Sequence, residues 1–311
     1  MSDNFRFDWP RRGAAGRAKA AIPVIALAIV ALASGCGTAG PSHAPVPSQA
    51  PVPSHALVPS EAPVASHAAV PSHAAVPSSP PVQAGRVSAS QMAGLPLATT
   101  FGTTPAAPQD PAPFEPETGI VLHPMATRVV YARPGGPPAA ALPVTELGSP
   151  TWVPVVQSQP GWDRVLLPTR PNRSTGWIYL GGGGLQTAYS AYSVEINLAT
   201  YRLTLLDAGR SLGSWTVAEG APGTPTPTGR TFVLASLVPT QPTYSPLILP
   251  LGTHSDTLTT YGGGPGTVGL HGWPDASVFG HAVSHGCVRV PPAALRALSQ
   301  VPLGSPVIIT G

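Results

Sequence analysis

Tyr192-Ser193-Val194-Glu195-Ile196-Asn197-Leu198, a turn at Ala199-Thr200, and Tyr201-Arg202-Leu203-Thr204-Leu205-Leu206 set the architecture. Apolar and polar residues alternate on both sides of the turn, which is the period of a half-buried strand. A second turn at Ala208-Gly209-Arg210 precedes Gly213 to Val217, so the segment opens as an antiparallel meander. Toward the C-terminus one helix is expected, beginning at Pro291-Pro292 with Ala294, Leu295 and Leu298 on one face. A turn at Gly304-Ser305-Pro306 then leads into a last strand, Val307-Ile308-Ile309. The C-terminal part is therefore expected to be mainly β.

Upstream of the meander the rhythm is similar. Trp152 to Val156, Trp162 to Leu167 and Gly176 to Leu180 read as three strands 8 to 12 residues apart. The WVPVV, GWDRVLLP and GWIYL segments resemble bacterial SH3-like modules, and an accessory domain of that kind is expected over 118–185. Trp152, Trp162 and Trp177 suit either ligand stacking or core packing; a domain this small needs aromatics inside, which favours the core. Gly181 to Gly184 read as a flexible joint before a second domain over 188–311.

The N-terminal third has a different character. From Pro41 to Val82 run seven hexapeptides, PSHAPV to PSSPPV, six of them opened by proline. A hexapeptide β-helix is the structured alternative, but the prolines remove N–H groups that a parallel ladder would use. The expected state of 37–117 is a disordered, polyproline-II-like tether. At ~3.1 Å per residue, roughly 80 residues would reach on the order of 200 Å. The repeat histidines His43, His55, His67 and His73 are spaced as solvated side chains rather than as a metal set.

Residues 1–36 carry export features: Arg11, Arg12, Arg17 and Lys19, then an apolar run from Ala20 to Ala33. That run suits a signal peptide and is short for a membrane span, which needs ~20 residues. Arg11-Arg12 lacks the following residues of a twin-arginine signal. Leu32-Ala33-Ser34-Gly35-Cys36 resembles a lipobox, with the leucine one residue early; the resemblance implies diacylation of Cys36 and anchoring at the outer face of the cytoplasmic membrane, from which a tether of that reach would extend into the cell wall. From position 36 onward 11 basic residues balance 11 acidic ones. A neutral chain lacks the Arg and Lys excess of a nucleic-acid surface. With two cysteines, lipidation of Cys36 leaves Cys287 a free thiol; a Cys36–Cys287 disulfide is the alternative.

The chemistry lies in His271-Gly272-Trp273-Pro274 and Ser284-His285-Gly286-Cys287-Val288-Arg289-Val290. Acyl transfer by a thiol needs a base for its proton and N–H donors for the developing oxyanion. Cys287 is the candidate nucleophile and His271 its base; pairing with imidazole can bring a thiol to a pKa of ~3.5 to 7.5. Gly286 permits a tight turn that would let the Gly286 and Cys287 N–H groups converge, with Ser284 and His285 as local support. Arg289, on the same side of an extended strand as Cys287, either binds a substrate carboxylate or holds the loop. Two other readings remain: Cys287 and His271 as core residues, or a zinc site from His271, His285 and Cys287 completed by His254, His281 or an acid.

His271, the spacing to SHGCVR, and the TPTPTGRTF segment at Thr224 to Phe232 resemble the catalytic signature of the L,D-transpeptidase (YkuD-type) family over about residues 190–311. The resemblance implies a mostly β catalytic domain, no cofactor, and peptidoglycan stem peptides as substrate. Cys287 would attack the carbonyl of the third stem residue, release D-alanine, and pass the acyl group to a neighbouring amine in a 3-3 cross-link. It further implies acylation by carbapenems, a tautomer of His271 held by the Gly272 carbonyl, and a substrate lid between Ser245 and Gly266. Water as acceptor would make a carboxypeptidase of the same site; a non-catalytic wall-binding lipoprotein is the reading from another class. Oligomeric state is not legible.

Overall fold

Alternating apolar residues do form the expected strands, and the computed structural model describes residues 82–311. Its first lobe contains β1 (Ile120–Pro124), β2 (Arg128–Tyr131), β3 (Pro138–Leu142), the two-residue pair β4 (Thr145–Glu146) and β5 (Ser149–Pro150), β6 (Val153–Gln159), β7 (Trp162–Leu166), β8 (Thr175–Tyr179) and β9 (Leu185–Tyr189). Seven of these make one antiparallel sheet in the order β3-β2-β8-β7-β6-β1-β9. Trp162 is fully buried and Trp177 nearly so, and with Tyr131 they form a core cluster rather than a stacking surface.

The second lobe continues with β10 (Tyr192–Asn197), β11 (Arg202–Asp207), β12 (Arg210–Thr216), β13 (Glu219–Gly220), β14 (Gly229–Phe232), β15 (Ile248–His254), β16 (Thr267–Gly272), β17 (Ala282–Ser284), β18 (Val288–Val290) and β19 (Pro306–Thr310). Strands β12-β11-β10-β19-β14 form one sheet, and β15-β16-β18 a second. The C-terminal strand β19 enters the first of these parallel to β10, Val194 opposite Val307. Helix α2 (Pro292–Leu298) buries Ala294, Leu295 and Leu298, the face expected from their spacing. Val194, Ile196, Leu203, Leu205, Leu270, Val288 and Val290 share its core.

Three expectations are corrected. Residues 82–117 are not the end of a disordered tether. Helix α1 (Ala89–Ala93) starts at a capping box, Ser88 and Gln91 satisfying each other's backbone N–H. The strap that follows buries Ala98, Thr100, Thr104, Ala107 and Asp110. Its order comes from contacts with both lobes: the Ala98 N–H donates to the Ala141 carbonyl of the first at 2.9 Å, while in the second Arg230 donates two hydrogen bonds to Asp110, at 2.7 and 2.8 Å, and His254 Nε2 lies 3.0 Å from the Thr100 hydroxyl. Even Val82, the last residue of the repeats, offers its carbonyl to Trp162 Nε1 at 2.7 Å.

Second, Gly181 to Gly184 do not form a loose joint. The Arg128 guanidinium donates to the carbonyls of Tyr179, Gly181 and Gly183, at 2.6, 3.1 and 2.8 Å, and holds the turn into β9. Third, the stretch from Ser245 to Gly266 is not all lid. Its first half is β15, buried along its whole length and paired with β16, Leu249 opposite Leu270. Residues 245–247 lead into the strand and residues 255–266 form the loop after it. The signal segment with Cys36, and all of the repeats but Val82, lie outside the described residues.

The lobes share a core: Phe232, Leu234 and Ala235 of the second lobe with Val130, Leu142, Val153 and Ile178 of the first. Beside it Glu117 is buried, its nearest approach to Arg230 being 3.9 Å. Neither Glu117 oxygen has a hydrogen-bond partner, and burial raises its pKa to about 8. Because Asp110 occupies the guanidinium at shorter range, Glu117 is read as a neutral acid rather than as half of an ion pair.

Candidate active site

The site is built where β16 and β18 run side by side. Their parallel register sets Leu270 opposite Val288 and His271 opposite Arg289. Side chains alternate across a sheet, so Leu270, Val288 and Val290 point into the core while positions 269, 271, 287 and 289 share the other face. This register brings together His271 and Cys287, 16 residues apart in the chain. Both line one cleft, with an empty volume of about 790 Å³ counted to its open mouth; Arg289, Ser284 and His285 line it too. Cys287 is a free, partly exposed cysteine among the described residues.

His271 is 5% exposed, and its Nδ1 lies 2.8 Å from the Gly272 carbonyl. A carbonyl only accepts, so Nδ1 carries the proton and Nε2 is left as the basic nitrogen. Burial lowers the imidazole pKa to about 4; the Gly272 carbonyl opposes that shift and the Arg289 charge adds to it. Gly272 is itself fixed by the Ser245 hydroxyl, which accepts its N–H at 2.7 Å and donates to the Leu247 carbonyl at 2.6 Å. A Cβ at Gly272 would stand 3.1 Å from that hydroxyl and 3.2 Å from a Leu295 methyl, so a side chain there would push on both by a few tenths of an ångström.

The thiol does not follow the expected depression of its pKa. Burial pushes Cys287 up, against smaller opposing effects from the Gly269 N–H and the Arg289 charge. With a raised thiol and a lowered imidazole, the resting pair at neutral pH is thiol and neutral imidazole, not thiolate and imidazolium.

The turn before Cys287 is also wired differently from the expectation. Gly286 has φ +115°, a conformation for which glycine is suited. Its N–H, however, donates to the Ser284 hydroxyl at 3.1 Å, while that hydroxyl donates to the Cys287 carbonyl at 2.6 Å. Ser284 therefore clamps the turn, and the Gly286 N–H is not aimed at an oxyanion. Thr226 and Thr224 brace the same turn by donating to the carbonyls of Gly286 and Ser284, each at 2.9 Å. These threonines belong to the TPTPTGRTF segment, which explains why that segment travels with the cysteine.

Arg289 is 6% exposed and its guanidinium carbon lies 3.5 Å from the centre of the Trp273 ring, a cation–π contact. Trp273 in turn faces Tyr244, whose ring is 4.8 Å from His271 in an edge-on arrangement. His285 is exposed and stacks on Tyr261 at 4.7 Å. Tyr244, Ser245 and Tyr261 carry no signal in the sequence, since they lie in Pro-, Thr- and Gly-rich connections; Trp273 stands in the quoted motif, but its partner emerges only from the His271–Arg289 register. His254, offered as a fourth zinc ligand, is fully buried in the strap contact, its Nε2 2.8 Å from the Thr100 carbonyl. Among the described residues no three His, Cys, Asp or Glu side chains gather as a metal set.

A search among curated proteins finds no match to the chain. Among solved structures, the catalytic domain of an Enterococcus faecium L,D-transpeptidase is similar at 24% identity, covering 38% of this chain and 95% of that one, TM-score 0.29. An L,D-transpeptidase from Mycobacterium smegmatis is 16% identical over 48% of this chain and 91% of its own, TM-score 0.32. L,D-transpeptidase 3 from Mycobacterium tuberculosis is 14% identical over 61% and 95%, TM-score 0.35. The chain spans about half, 49%, of a longer mutant Enterococcus faecium L,D-transpeptidase structure. Residues 191–309, which hold every residue of the cleft described above, match the model of the YkuD family, the L,D-transpeptidase catalytic domain, and so carry the likeness of an acyltransferase.

Proposed function

We propose that this protein is an exported peptidoglycan L,D-transpeptidase that forms 3-3 cross-links through a thioester on Cys287. One observation carries the reading: Cys287 and His271 line one open cleft, with the imidazole held by the Gly272 carbonyl so that only Nε2 is basic. In acylation His271 Nε2 takes the thiol proton as sulfur attacks the carbonyl carbon of the third stem residue. A C–S bond forms, the C–N bond to the terminal D-alanine breaks, and His271 returns the proton to the leaving amine. In the second half the acceptor amine gives a proton to His271 as its nitrogen attacks the thioester; a C–N bond forms, the C–S bond breaks, and His271 returns the proton to sulfur, restoring the thiol. Arg289 and the Gly269 N–H favour developing negative charge on sulfur, opposing part of the effect of burial on the thiol.

The reading extends to the rest of the chain. The lobe of β1 to β9 acts as an SH3-like accessory module, and residues 1–36 export the protein and anchor it through a diacylated Cys36 at the outer face of the membrane. Intact-mass analysis of the mature N-terminus tests the anchor: a chain lacking a diacylglyceryl mass on Cys36 removes it.

Incubation of the full chain with a disaccharide-tetrapeptide, read by mass spectrometry, tests the chemistry. The wild type is expected to release D-alanine and give a cross-linked dimer, and Cys287→Ala to release none. Equal turnover by that variant overturns the assignment. A tripeptide product without dimer would instead identify a carboxypeptidase.

A further inference from the structure

The loop after β15, residues 255–266, forms the wall of the cleft that faces the thiol: Tyr261 and Gly262 line it, and Tyr261 stacks on His285, two residues before Cys287. Its base is closed by the Ser255 N–H to the Gly266 carbonyl at 2.8 Å, and its tip by a reciprocal backbone pair between Tyr261 and Gly264. Between base and tip the loop body is also tied to the other lobe. One guanidinium, Arg170, donates to three carbonyls, those of Ser255, Leu258 and Pro265, at 3.1, 3.1 and 3.0 Å. These carbonyls lie on both limbs of the loop, so a single planar group ties the limbs to each other and to the accessory lobe. Gly266 leaves room for it: a Cβ there, at φ +72°, would stand 3.2 Å from the Arg170 nitrogen and collide with the Leu258 carbonyl. Next to Arg170, Asn172 grips the end of β15, accepting the His254 N–H at 2.8 Å and donating to the His254 carbonyl at 2.6 Å. Arg170 is anchored in turn by the strap, its N–H bonding the Gly102 carbonyl at 3.1 Å and its carbonyl accepting the Thr104 N–H at 2.8 Å.

We propose that Arg170 is a positioning residue for the cleft: from the accessory lobe it fixes the 255–266 loop, and thereby sets how the stem peptide is seated against Cys287. This rests on the transpeptidase reading for the identity of the substrate, but not for the tie itself. Arginine suits the task because its rigid fork presents several N–H donors in fixed directions, whereas lysine offers one point charge. The accessory lobe is then part of the substrate site without touching the reacting atoms.

Arg170→Ala and Arg170→Lys in the full chain test this in two independent arms. In the first, amide hydrogen exchange of residues 255–266 is expected to quicken by about tenfold or more in Arg170→Ala, with β10 and β11 unchanged; Arg170→Lys should fall between. In the second, with disaccharide-tetrapeptide as substrate, KM should rise about tenfold in Arg170→Ala with kcat within about threefold, and Arg170→Lys should restore part of the loss. Alkylation of Cys287 by iodoacetamide, a probe too small to need the loop, should stay within about twofold. Unchanged loop exchange in Arg170→Ala overturns the proposal whatever the activity, and so does an equal fall in kcat with no change in KM. A wild type inert toward the stem peptide but with the expected exchange pattern would sink the substrate assignment while leaving Arg170 as the tie that sets the cleft wall.

Discussion

The residue that defines the chemistry of the cleft is His271, because its surroundings decide which nitrogen and which protonation state are available. Burial lowers its pKa to about 4. A general base works only when neutral, so activity is present above that pKa and is lost as pH falls through it. The acid limb of kcat/KM is therefore expected near pH 4 rather than near the ordinary histidine value of ~6.5. A pH–rate profile for D-alanine release checks this, and a limb at the ordinary value would show that imidazole 271 is solvated during turnover. The same scale shows what was legible. The pair of residue types is read from the motif, and the carbonyl of Gly272 as tautomer lock is what the family resemblance implies. The direction of the thiol shift does not, since it depends on how much of the sulfur is packed. Nor does the fate of the Gly286 N–H, which the Ser284 hydroxyl captures at 3.1 Å.

At the scale of elements, those with local periodicity were readable and those buried on both faces were not. Strands β10 and β11 alternate, and α2 spaces its apolar residues by three and four, so each announces itself. Leu298, fully buried on that helix, belongs to the core behind β16. Leu298→Ala is expected to cost about 2–5 kcal/mol, from lost burial and the cavity left behind, measurable as a lower denaturant midpoint with an unchanged slope. Strand β15 had no such signature. It is buried at every position, so it lacks alternation, and Pro250 and Gly252 give it the composition of a loop. Gly252 is there because the Phe232 ring lies against it: an added Cβ would meet that ring at 2.5 Å. That reason resides in a neighbour 20 positions away and cannot be read from the strand itself.

The whole molecule depends on a strap whose composition resembles the tether that precedes it. Residues 95–118 gain their order from both lobes, and they bury Glu117 beside Arg230 and Asp110, where desolvation raises its pKa to about 8. A carboxyl held neutral in the folded state and free to ionise when unfolded stabilises the fold fully below ~4.5, and that contribution is lost as pH rises through the folded value. Glu117→Gln, which stays neutral at every pH, is expected to weaken the decline of stability between about pH 4.5 and 8 and to be more stable than the wild type at pH 8. Urea midpoints for both proteins at pH 5 and pH 8 check it; equal pH slopes would show that Glu117 is ionised in the fold.

The amino-acid sequence by itself determined the repeats, the mainly β texture and the choice of Cys287 and His271 as the candidate pair, because these are properties of neighbouring residues: composition, period and motif. Tertiary structure alone decided that β16 and β18 run in register, that Arg289 meets Trp273, that the strap is ordered, and that Arg170 holds the wall of the cleft. Each of those rests on groups far apart in the chain, whose hydrogen bonds and burial exist only once the lobes have packed, and no local pattern encodes a partner that distant.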